Sequence, residues 1–410
     1  MEQTIFRSLL SKTGQEVLQV ASSLDPVETD FLRHFTYLNR SYPADLAQAA
    51  LEVTILRKEG GKKFPFADRM FFTRLALEQA SNFEISTYRA ARYEGFNNVI
   101  DLGCSVGGDT IALANMLPTY GIDNDPLRLP MAQANLSTIP HKSNADFIQG
   151  DLTDPLPFSS PSISALFFDP SRRILGRRLF STYQYHPPLK VIESWLLDFP
   201  EIGVKISPGV NLDEIRSYDA ELEFISLRGE LKEAVLWFGS LKTARRRATI
   251  LPGNHTLACS AGTVSSKNNG EFIDKSSSGV SIIKEPLSYL YEPDPSILRA
   301  GLVQTLREQL NAYQLDPDIA YLTSDTCTVT PYARVWRVES WQPFGTKRLR
   351  ALLRKHEIDH IVVKKRGSPI QPDDFIRAMR LSPKKKSGNP ERVIFLTHLR
   401  GKPIVIICFP

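Results

Sequence analysis

The sequence lacks the features that mark secreted, disulfide-stapled and membrane-spanning proteins. Its four cysteines lie 155, 68 and 81 positions apart, so no closely spaced pair is available for a zinc site or a redox motif. The N-terminus has no basic stretch followed by an apolar core, and no apolar run reaches the ~18 residues that a membrane span needs. These absences predict a cytoplasmic protein with reduced thiols and no membrane association.

What is present fits an ordinary folded chain. The 410 residues are 42% hydrophobic and 23% charged, which is typical of globular proteins and unlike disordered ones. A chain of this length has room for two or three domains with substantial cores.

The charge is unevenly distributed along the chain. The net charge is only +5, but residues 331–410 hold 18 lysines and arginines against 6 acidic residues. This last fifth therefore carries +12, and the remainder carries −7. A concentrated positive charge favours a polyanionic partner.

The hydrophobic pattern divides the chain into four segments. Residues 1–95 have apolar positions near a 3.6-residue period and predict a helical N-terminal region. Over 96–258, short apolar runs alternate with helix-length segments, which predicts an α/β fold with a Rossmann-like, doubly wound parallel sheet. Residues 259–281 are rich in Ser, Gly and Asn and predict a linker or long hairpin. Residues 282–410 predict a smaller α+β domain.

Two local expectations concern the ends of these segments. The runs LEFISLRG and EAVLWFG predict an antiparallel hairpin at the sheet edge, connected through GELKE at 229–233. The stretch from Glu285 to Leu310 predicts a helical pattern, and the four later runs at 334–340, 360–367, 392–398 and 404–409 predict strands.

The sharpest motif is a glycine turn between an apolar strand and a helix. It reads VIDLGCSVGGDT, with Asp101 before Gly103 and with Ser105 and Gly107 inside the turn. Glycines let the backbone approach a ligand closely, and the helix start offers unpaired N–H groups. The spacing does not match the dinucleotide fingerprint GxGxxG. An acidic residue before the turn suits a ligand with a free amino group.

Acidic residues follow at the predicted ends of the next strands. Asp123 is placed to accept both hydroxyls of a ribose, and Asp151 to accept from an adenine amine. Asp169 and Pro170 follow the fourth strand. Together with Asp101, these carboxylates lie where doubly wound sheets bind ligands.

At this point the chain resembles the class I S-adenosylmethionine-dependent methyltransferases. The segments KKFPFADRMFFTRLALEQAS, DPSRR, VKISPG, GELKEAVLW and YLYEPDPSILRAGL are similar to one bacterial family of these enzymes, whose C-terminal part is described as THUMP-like. The resemblance implies S-adenosyl-L-methionine as cofactor and RNA as partner. It also implies a set of cofactor-binding residues: Asp101, Gly103, Ser105, Gly107, Asp123, Asp151 and Leu152.

The resemblance implies catalytic roles for Asp169, Pro170 and Arg172. Amino-methylating enzymes carry (Asn/Asp)-Pro-Pro-aromatic here, but Ser171 and Arg172 replace its last two residues, which argues against an adenine amine. Enzymes that methylate pyrimidine carbons need a nucleophilic cysteine, and none lies near the motif. We therefore expect a nitrogen or oxygen acceptor.

The expected substrate is a structured RNA such as tRNA or rRNA. Arg173 lies beside the catalytic motif, and Lys364, Lys365 and Arg366 form a cluster in the basic domain, so we expect all four to contact it. Two alternatives remain open from the residues. The acceptor is a small molecule or protein, or the chain is a non-catalytic RNA-binding protein that retains the cofactor pocket.

The pattern HEIDH at His356–His360 matches the zincin motif HExxH. Its second histidine runs directly into the strand-like sequence IVVKKRG, whereas zincins hold both histidines on one helix. We therefore expect no metal site. His186 and Tyr183, which follow the DPSRR motif, are candidates for substrate contact. Lys205, Glu230 and Glu233 are candidates for either structural ion pairs or functional groups.

Overall fold

The computed structural model describes most of the chain in two compact units. The described residues are 1–139, 141–158, 162–174, 177–259, 264–266, 272–274, 283–381 and 391–410. Unit 1 consists of residues 1–222 and 233–243, and unit 2 of residues 223–232 and 244–410. In the described residues no helix is both long and apolar enough to cross a membrane.

The predicted helical N-terminal region is confirmed. Its helices are α1 (Gln3–Leu10), α2 (Lys12–Ser23), α3 (Phe31–Leu38), α4 (Ala44–Gly60), α5 (Arg74–Gln79) and α6 (Phe83–Ala90). Side-chain oxygens cap three of them: Ser11 accepts from the Gly14 N–H before α2, Thr73 from the Ala76 N–H before α5, and Asn82 from the Glu84 N–H before α6. These helices share a core with the helices of the following sheet.

The predicted parallel sheet is also confirmed in unit 1. Its elements are β1 (Val99–Leu102), α7 (Gly108–Ala114), β2 (Thr119–Asp123), α8 (Arg128–Thr138), β3 (Ala145–Gln149), β4 (Ala165–Phe168), the two-residue strands β5 (Arg173–Ile174) and β6 (Arg177–Arg178), α9 (Ile192–Trp195) and β7 (Ile202–Ile206). The strand order is β7-β4-β1-β2-β3, and each neighbouring pair is parallel. The four residues of β1 are buried, as expected for a strand covered on both faces.

The hairpin that follows differs from its prediction. Strands β8 (Glu221–Leu227) and β9 (Glu230–Trp237) are joined by Arg228 and Gly229 alone, with φ of +53° and +79°. A two-residue turn with positive φ at both positions has a backbone twist that matches the right-handed twist of the two strands it joins. The strands can therefore pair up to the turn, and Glu230–Lys232 belong to β9 instead of to a loop. The hairpin is not at the edge, because β10 (Arg246–Leu251) and β11 (His255–Cys259) continue the order beyond β8.

Unit 2 contains a second sheet of seven strands. Its elements are β14 (Tyr289–Pro293), α10 (Pro295–Ala300), α11 (Val303–Gln309), β15 (Tyr313–Asp316), β16 (Ile319–Ser324), β17 (Ala333–Pro343), α12 (Thr346–Lys355), β18 (His360–Lys365), α13 (Pro372–Met379), β19 (Glu391–Leu399) and β20 (Lys402–Cys408). The order is β15-β16-β14-β17-β20-β19-β18, mainly antiparallel with β18 and β19 parallel. The four strands predicted after residue 330 are confirmed.

Unit 2 differs from one sequence-based expectation, and a second expectation falls largely on residues outside the described ranges. The stretch predicted to be helical from Glu285 begins instead with strand β14, because Leu290 and Tyr291 are buried in the middle of the sheet. The predicted linker 259–281 lies largely outside the described residues. Its described parts, β12 (Val264–Ser266) and β13 (Phe272–Asp274), pair antiparallel.

Candidate active site

The turn after β1 is bent back against the end of β4. Gly103 has φ of +87°, and a Cβ placed on it would lie 2.8 Å from the carbonyl oxygen of Asp169. Gly107, the N-cap residue directly before α7, has φ of +81°, and a Cβ placed on it would lie 3.2 Å from the Cβ of Ala132. Both positions therefore require glycine, for conformation and for space.

Asp123, the last residue of β2, organises this turn. Its Oδ2 accepts a hydrogen bond from the Ser105 N–H at 2.9 Å, and its Oδ1 accepts from the Asp125 N–H at 2.9 Å. The side chain is almost fully buried but lines a cleft at the carboxyl ends of the strands. Each carboxylate oxygen retains a free lone pair for a ligand hydroxyl.

This cleft in unit 1 has a volume of about 290 Å³. Five predicted cofactor-binding residues and three predicted catalytic residues line it: Gly103, Ser105, Asp123, Asp151, Leu152, Asp169, Pro170 and Arg172. Residues separated by up to 69 positions in sequence are thus brought to one surface, because parallel strands present their carboxyl ends at the same edge.

Asp101 and Gly107 do not line the cleft. Asp101 is fully buried in β1, where its Oδ2 accepts from the Thr110 hydroxyl at 2.6 Å and its Oδ1 has no hydrogen-bond partner among the described residues. Burial, followed by the negative charge of Asp109, raises the pKa of Asp101 from 3.8 to about 8. The carboxyl group beneath the glycine turn therefore holds its proton more tightly than an ordinary aspartic acid does.

Asp151 has the opposite environment. It is exposed at the mouth of the cleft, where its Oδ1 accepts from the N–H and the hydroxyl of Thr153 at 2.8 and 2.7 Å. These hydrogen bonds lower its pKa. The neighbouring Leu152 is buried and contributes an apolar wall to the same side of the cleft.

Asp169 forms an ion pair inside the cleft. The Lys205 ammonium, on β7, lies 2.6 Å from Oδ2 of Asp169, and the lysine side chain is only 3% exposed. Oδ1 of Asp169 has no side-chain partner among the described residues. The carboxylate is thus held from one side while its second oxygen stays available.

The rest of the DPSRR motif continues along the cleft. Pro170 is buried, and Arg172 is partly exposed and has no ion pair in the described part of the chain. The backbones of Ser171 and His186 exchange two hydrogen bonds of 3.0 and 2.9 Å, which brings His186 to the cleft. Tyr183 is exposed and does not line it.

For Arg173 the structure describes only the backbone, which pairs with Arg178 across β5 and β6. Its side chain, predicted to contact substrate, lies outside the described part of the protein.

A buried charge network beneath the cleft was missed by the sequence analysis. Arg89 on α6 is 2% exposed and lies 2.6 Å from Asp109 and 3.0 Å from Glu233. Its guanidinium stacks over Phe167 at 4.5 Å from the ring centre, and it donates to the Ser81 hydroxyl at 2.8 Å. No sequence pattern links these positions, since the contacts join α6, α7, β4 and β9.

The N-terminal region also contributes to the cleft. Gln79 donates from Nε2 to the Ser171 hydroxyl at 3.3 Å, and Gln79 and Ser81 both line the cleft. The segment 62–81 entered the sequence analysis only through a family resemblance. The side chain of Asn135 helps to hold the chain there by bonding both the N–H and the carbonyl of Phe71.

One thiol, that of Cys104, lines this cleft. Cys104 is buried, and burial raises the pKa of its thiol well above its ordinary value, which disfavours the nucleophilic thiolate. No group of His, Cys, Asp and Glu side chains in the described ranges is arranged to hold a metal. His360 of the HEIDH sequence is the first residue of β18, so the motif does not lie on one helix.

The predicted basic cluster of unit 2 is partly paired. Lys364 forms an ion pair with Glu292 at 2.5 Å, and Lys365 donates to the side chain of Gln371 at 3.0 Å. The guanidinium of Arg366 stacks on Tyr321 at 4.9 Å from the ring centre.

Helix α12 of unit 2 carries four further exposed cations. Leu349 and Leu353 bury one side of this helix. Its exposed cations have no ion pair within the described chain: Lys347, Arg348, Arg354 and Lys355.

Comparisons with known proteins agree with this geometry. Residues 333–410 match a family described as THUMP domain-like, and residues 2–59 match a domain of unknown function. Two uncharacterized S-adenosylmethionine-dependent methyltransferases, from Mycobacterium tuberculosis strains CDC 1551 and H37Rv, are 31% identical over 351 residues, covering 82% of this chain and 90% of theirs. A crystal structure of a Porphyromonas gingivalis W83 protein, provisionally named a methyltransferase, has a TM-score of 0.73 and 20% identity and covers 93% of this chain and 98% of its own, which shows a shared fold.

Proposed function

The chain belongs to the S-adenosylmethionine-dependent methyltransferases, and we propose that it methylates a nitrogen or oxygen atom of a structured RNA such as tRNA or rRNA. The observation that carries the RNA assignment is the basic C-terminal segment. It has a net charge of +12 over residues 331–410, coincides with the THUMP-like match and exposes four cations on α12. A small-molecule or protein acceptor would leave this charge without a role.

The residues of the cleft fit S-adenosylmethionine. Gly103 leaves no side chain between the turn and the end of β4, and Asp123 keeps lone pairs free beside it. We assign Asp123 to the ribose hydroxyls, Asp151 to the adenine amine and Leu152 to packing against the adenine ring. When bound, the cofactor supplies a methyl group on a sulfonium.

Asp101 and Gly107 act from beneath the ligand surface in this proposal. Asp101 accepts from Thr110 at the start of α7, and Gly107 allows α7 to approach α8 closely. Together with Ser105, whose N–H is held by Asp123, they fix the shape of the turn.

The chain has to align the acceptor atom with the methyl group, since the transfer needs no covalent intermediate with the protein. We assign Oδ1 of Asp169 to accept a hydrogen bond from the acceptor N–H or O–H, while Lys205 holds Oδ2. Pro170 keeps the following backbone rigid. Arg172 stacks on a base or holds a phosphate at the cleft mouth, as guanidinium groups do in RNA sites.

Unit 2 is assigned to holding the RNA. The exposed cations of α12 neutralise phosphates and release condensed counterions, which gives affinity without sequence preference. Arg173 and the cluster Lys364–Arg366 are further candidate contacts. Lys364 is the weakest of these, because its charge is already balanced by Glu292.

Nucleoside mass spectrometry of total RNA from a deletion strain tests the proposal. One methylated nucleoside should disappear, return with the wild-type gene and stay absent with Asp169→Ala. If the RNA nucleosides were unchanged and a protein or small molecule had lost a methyl group, the methyl acceptor would be that protein or small molecule and not RNA. Return of the nucleoside with Asp169→Ala would remove Asp169 from catalysis.

A further inference from the structure

A second pocket lies wholly within unit 2 and has a volume of about 560 Å³. Its walls come from the β8–β9 turn, the end of β10, the end of β14 and the start of β17. It shares no lining residue with the methyltransferase cleft. Its size is in the range of small-ligand pockets.

The lining of this pocket is rich in cations: Arg228, Arg334, Lys364 and Arg366. Two carboxylates are present, but both are engaged. Glu292 pairs with Lys364 at 2.5 Å, and Asp294 accepts from the N–H and hydroxyl of Ser296 at the start of α10. In the described residues Arg334 and Arg366 have no acidic partner.

Arg366 is fixed in place with a donor left over. Its guanidinium stacks on buried Tyr321, and its Nη1 is buried without a hydrogen-bond partner in the described chain. A buried charged donor without an acceptor is unfavourable, and an anion in the pocket would satisfy it. Arg334 is exposed on β17 opposite Glu292 and has its guanidinium beside Gly229.

The remaining walls are rigid and largely apolar. Pro252, Pro293, Pro295 and Pro331 line the pocket together with Ile250 and Leu251. Proline has no N–H and a fixed φ, so these walls offer contact area rather than hydrogen bonds. Arginine donors next to such a wall match a ligand with one anionic end and one flat, weakly polar end.

We propose that this pocket binds a single phosphorylated nucleotide, with its phosphate on Arg334 and Arg366 and its base against the proline wall. The phosphate belongs either to the RNA substrate or to a free mononucleotide, because both carry a phosphate group attached to a nucleoside. The proposal rests on the proposed function only in naming RNA as one source of the nucleotide.

Calorimetry on the full-length protein with uridine 5′-monophosphate and with uridine tests the phosphate requirement. Saturating S-adenosylhomocysteine is present so that the cofactor cleft is filled. We expect the monophosphate to bind at least 10-fold more tightly than uridine. Pentauridylate without a terminal phosphate distinguishes the two sources of the phosphate. If pentauridylate binds tightly, the pocket binds an RNA backbone phosphate. If only the monophosphate binds, the pocket binds a free nucleotide.

Variants then locate the site. Arg334→Ala should weaken binding of whichever phosphate ligand binds by at least 10-fold, and Arg366→Gln provides a second test. Arg40→Ala is the control, because it removes an exposed arginine of unit 1, outside the pocket and outside the proposed RNA contacts, and should change affinity less than 2-fold. Thermal unfolding of each variant identifies any that fail to fold.

Three results would overturn the proposal: no binding of either phosphate ligand to the wild type, uridine binding as tightly as its monophosphate, or equal losses in Arg334→Ala and Arg40→Ala. The measurement involves no methyl transfer. Failure of the RNA methylation proposal and failure of the pocket are therefore distinguishable.

Discussion

Lys205 on β7 holds the carboxylate of Asp169, at the end of the neighbouring strand β4, through an Nζ to Oδ2 distance of 2.6 Å. The two strands are parallel neighbours, so their carboxyl ends bring the two side chains together. The pair fixes one oxygen of the proposed acceptor-binding carboxylate. Lys205 is thereby a positioning residue in the proposed mechanism.

Lys205→Met should lower kcat more than it raises KM for the acceptor, because the carboxylate loses its fixed orientation but not its place in the cleft. The substitution should also lower the free energy of unfolding by about 3 kcal/mol, because the largely buried carboxylate of Asp169 loses its cationic partner. Steady-state kinetics and chemical denaturation measure the two effects. Lys205→Arg should restore part of kcat; a stability loss with unchanged kcat would show a purely structural lysine.

Asp101 predicts a pH dependence of stability. Its pKa is about 8 in the folded protein against 3.8 as the ordinary value, so the folded state holds the proton more tightly. This contribution to stability is complete below pH 4 and is lost as the pH rises towards 8. Between pH 5 and pH 9 the wild type should therefore lose more free energy of unfolding than Asp101→Asn, in denaturation at both pH values. Parallel losses would contradict the buried, protonated carboxyl.

Asp123→Ala should weaken S-adenosylmethionine binding by at least 10-fold, because the ribose hydroxyls lose a charged acceptor worth about 1.5–3 kcal/mol. Isothermal titration calorimetry gives the affinity directly. Asp146→Ala removes an exposed carboxylate outside the cleft and is the control. Wild-type affinity in Asp123→Ala would remove this residue from the cofactor site.

The cations of α12 should dominate the salt dependence of RNA binding. Each phosphate contact contributes roughly −0.7 to the log–log slope on single strands, so changing Lys347, Arg348 and Arg354 to Ala should flatten the slope by up to about 2. Filter binding across a salt series measures it. The control triple, which changes the exposed residues Lys12, Arg40 and Lys190 of unit 1 to Ala, removes the same charge. Equal flattening in both triples would indicate a general charge effect rather than contacts at α12.

Arg89→Met should be among the most destabilising substitutions in unit 1. It leaves Asp109 and Glu233 without their shared cation, and breaking a buried ion pair costs about 3–5 kcal/mol. Denaturant unfolding measures the loss. The double variant Arg89→Met, Glu233→Gln should recover part of it, and purely additive losses would argue against coupling between the two side chains.

The sequence by itself determined the class of fold and much of the lining of the cleft. Alternating apolar runs fix a parallel sheet, because a strand buried on both faces must be continuously apolar. Once the sheet is parallel, Asp123, Asp151 and Asp169 must reach one edge, and they do line one cleft. The glycine turn could be recognised because few residues adopt positive φ beside a close backbone contact.

Only the tertiary structure decided which charges are paired and which are free. The sequence predicts a free Lys364 from its position in a basic cluster, yet folding brings Glu292 of β14, which is not a neighbouring strand, into an ion pair with it. Arg89 had no sequence signal, because its partners come from elements 20 to 144 residues away. Charge along a chain is local, whereas ion pairing and burial depend on which elements pack together. For the same reason, only folding brings Arg334 and Arg366 together as lining residues of one pocket.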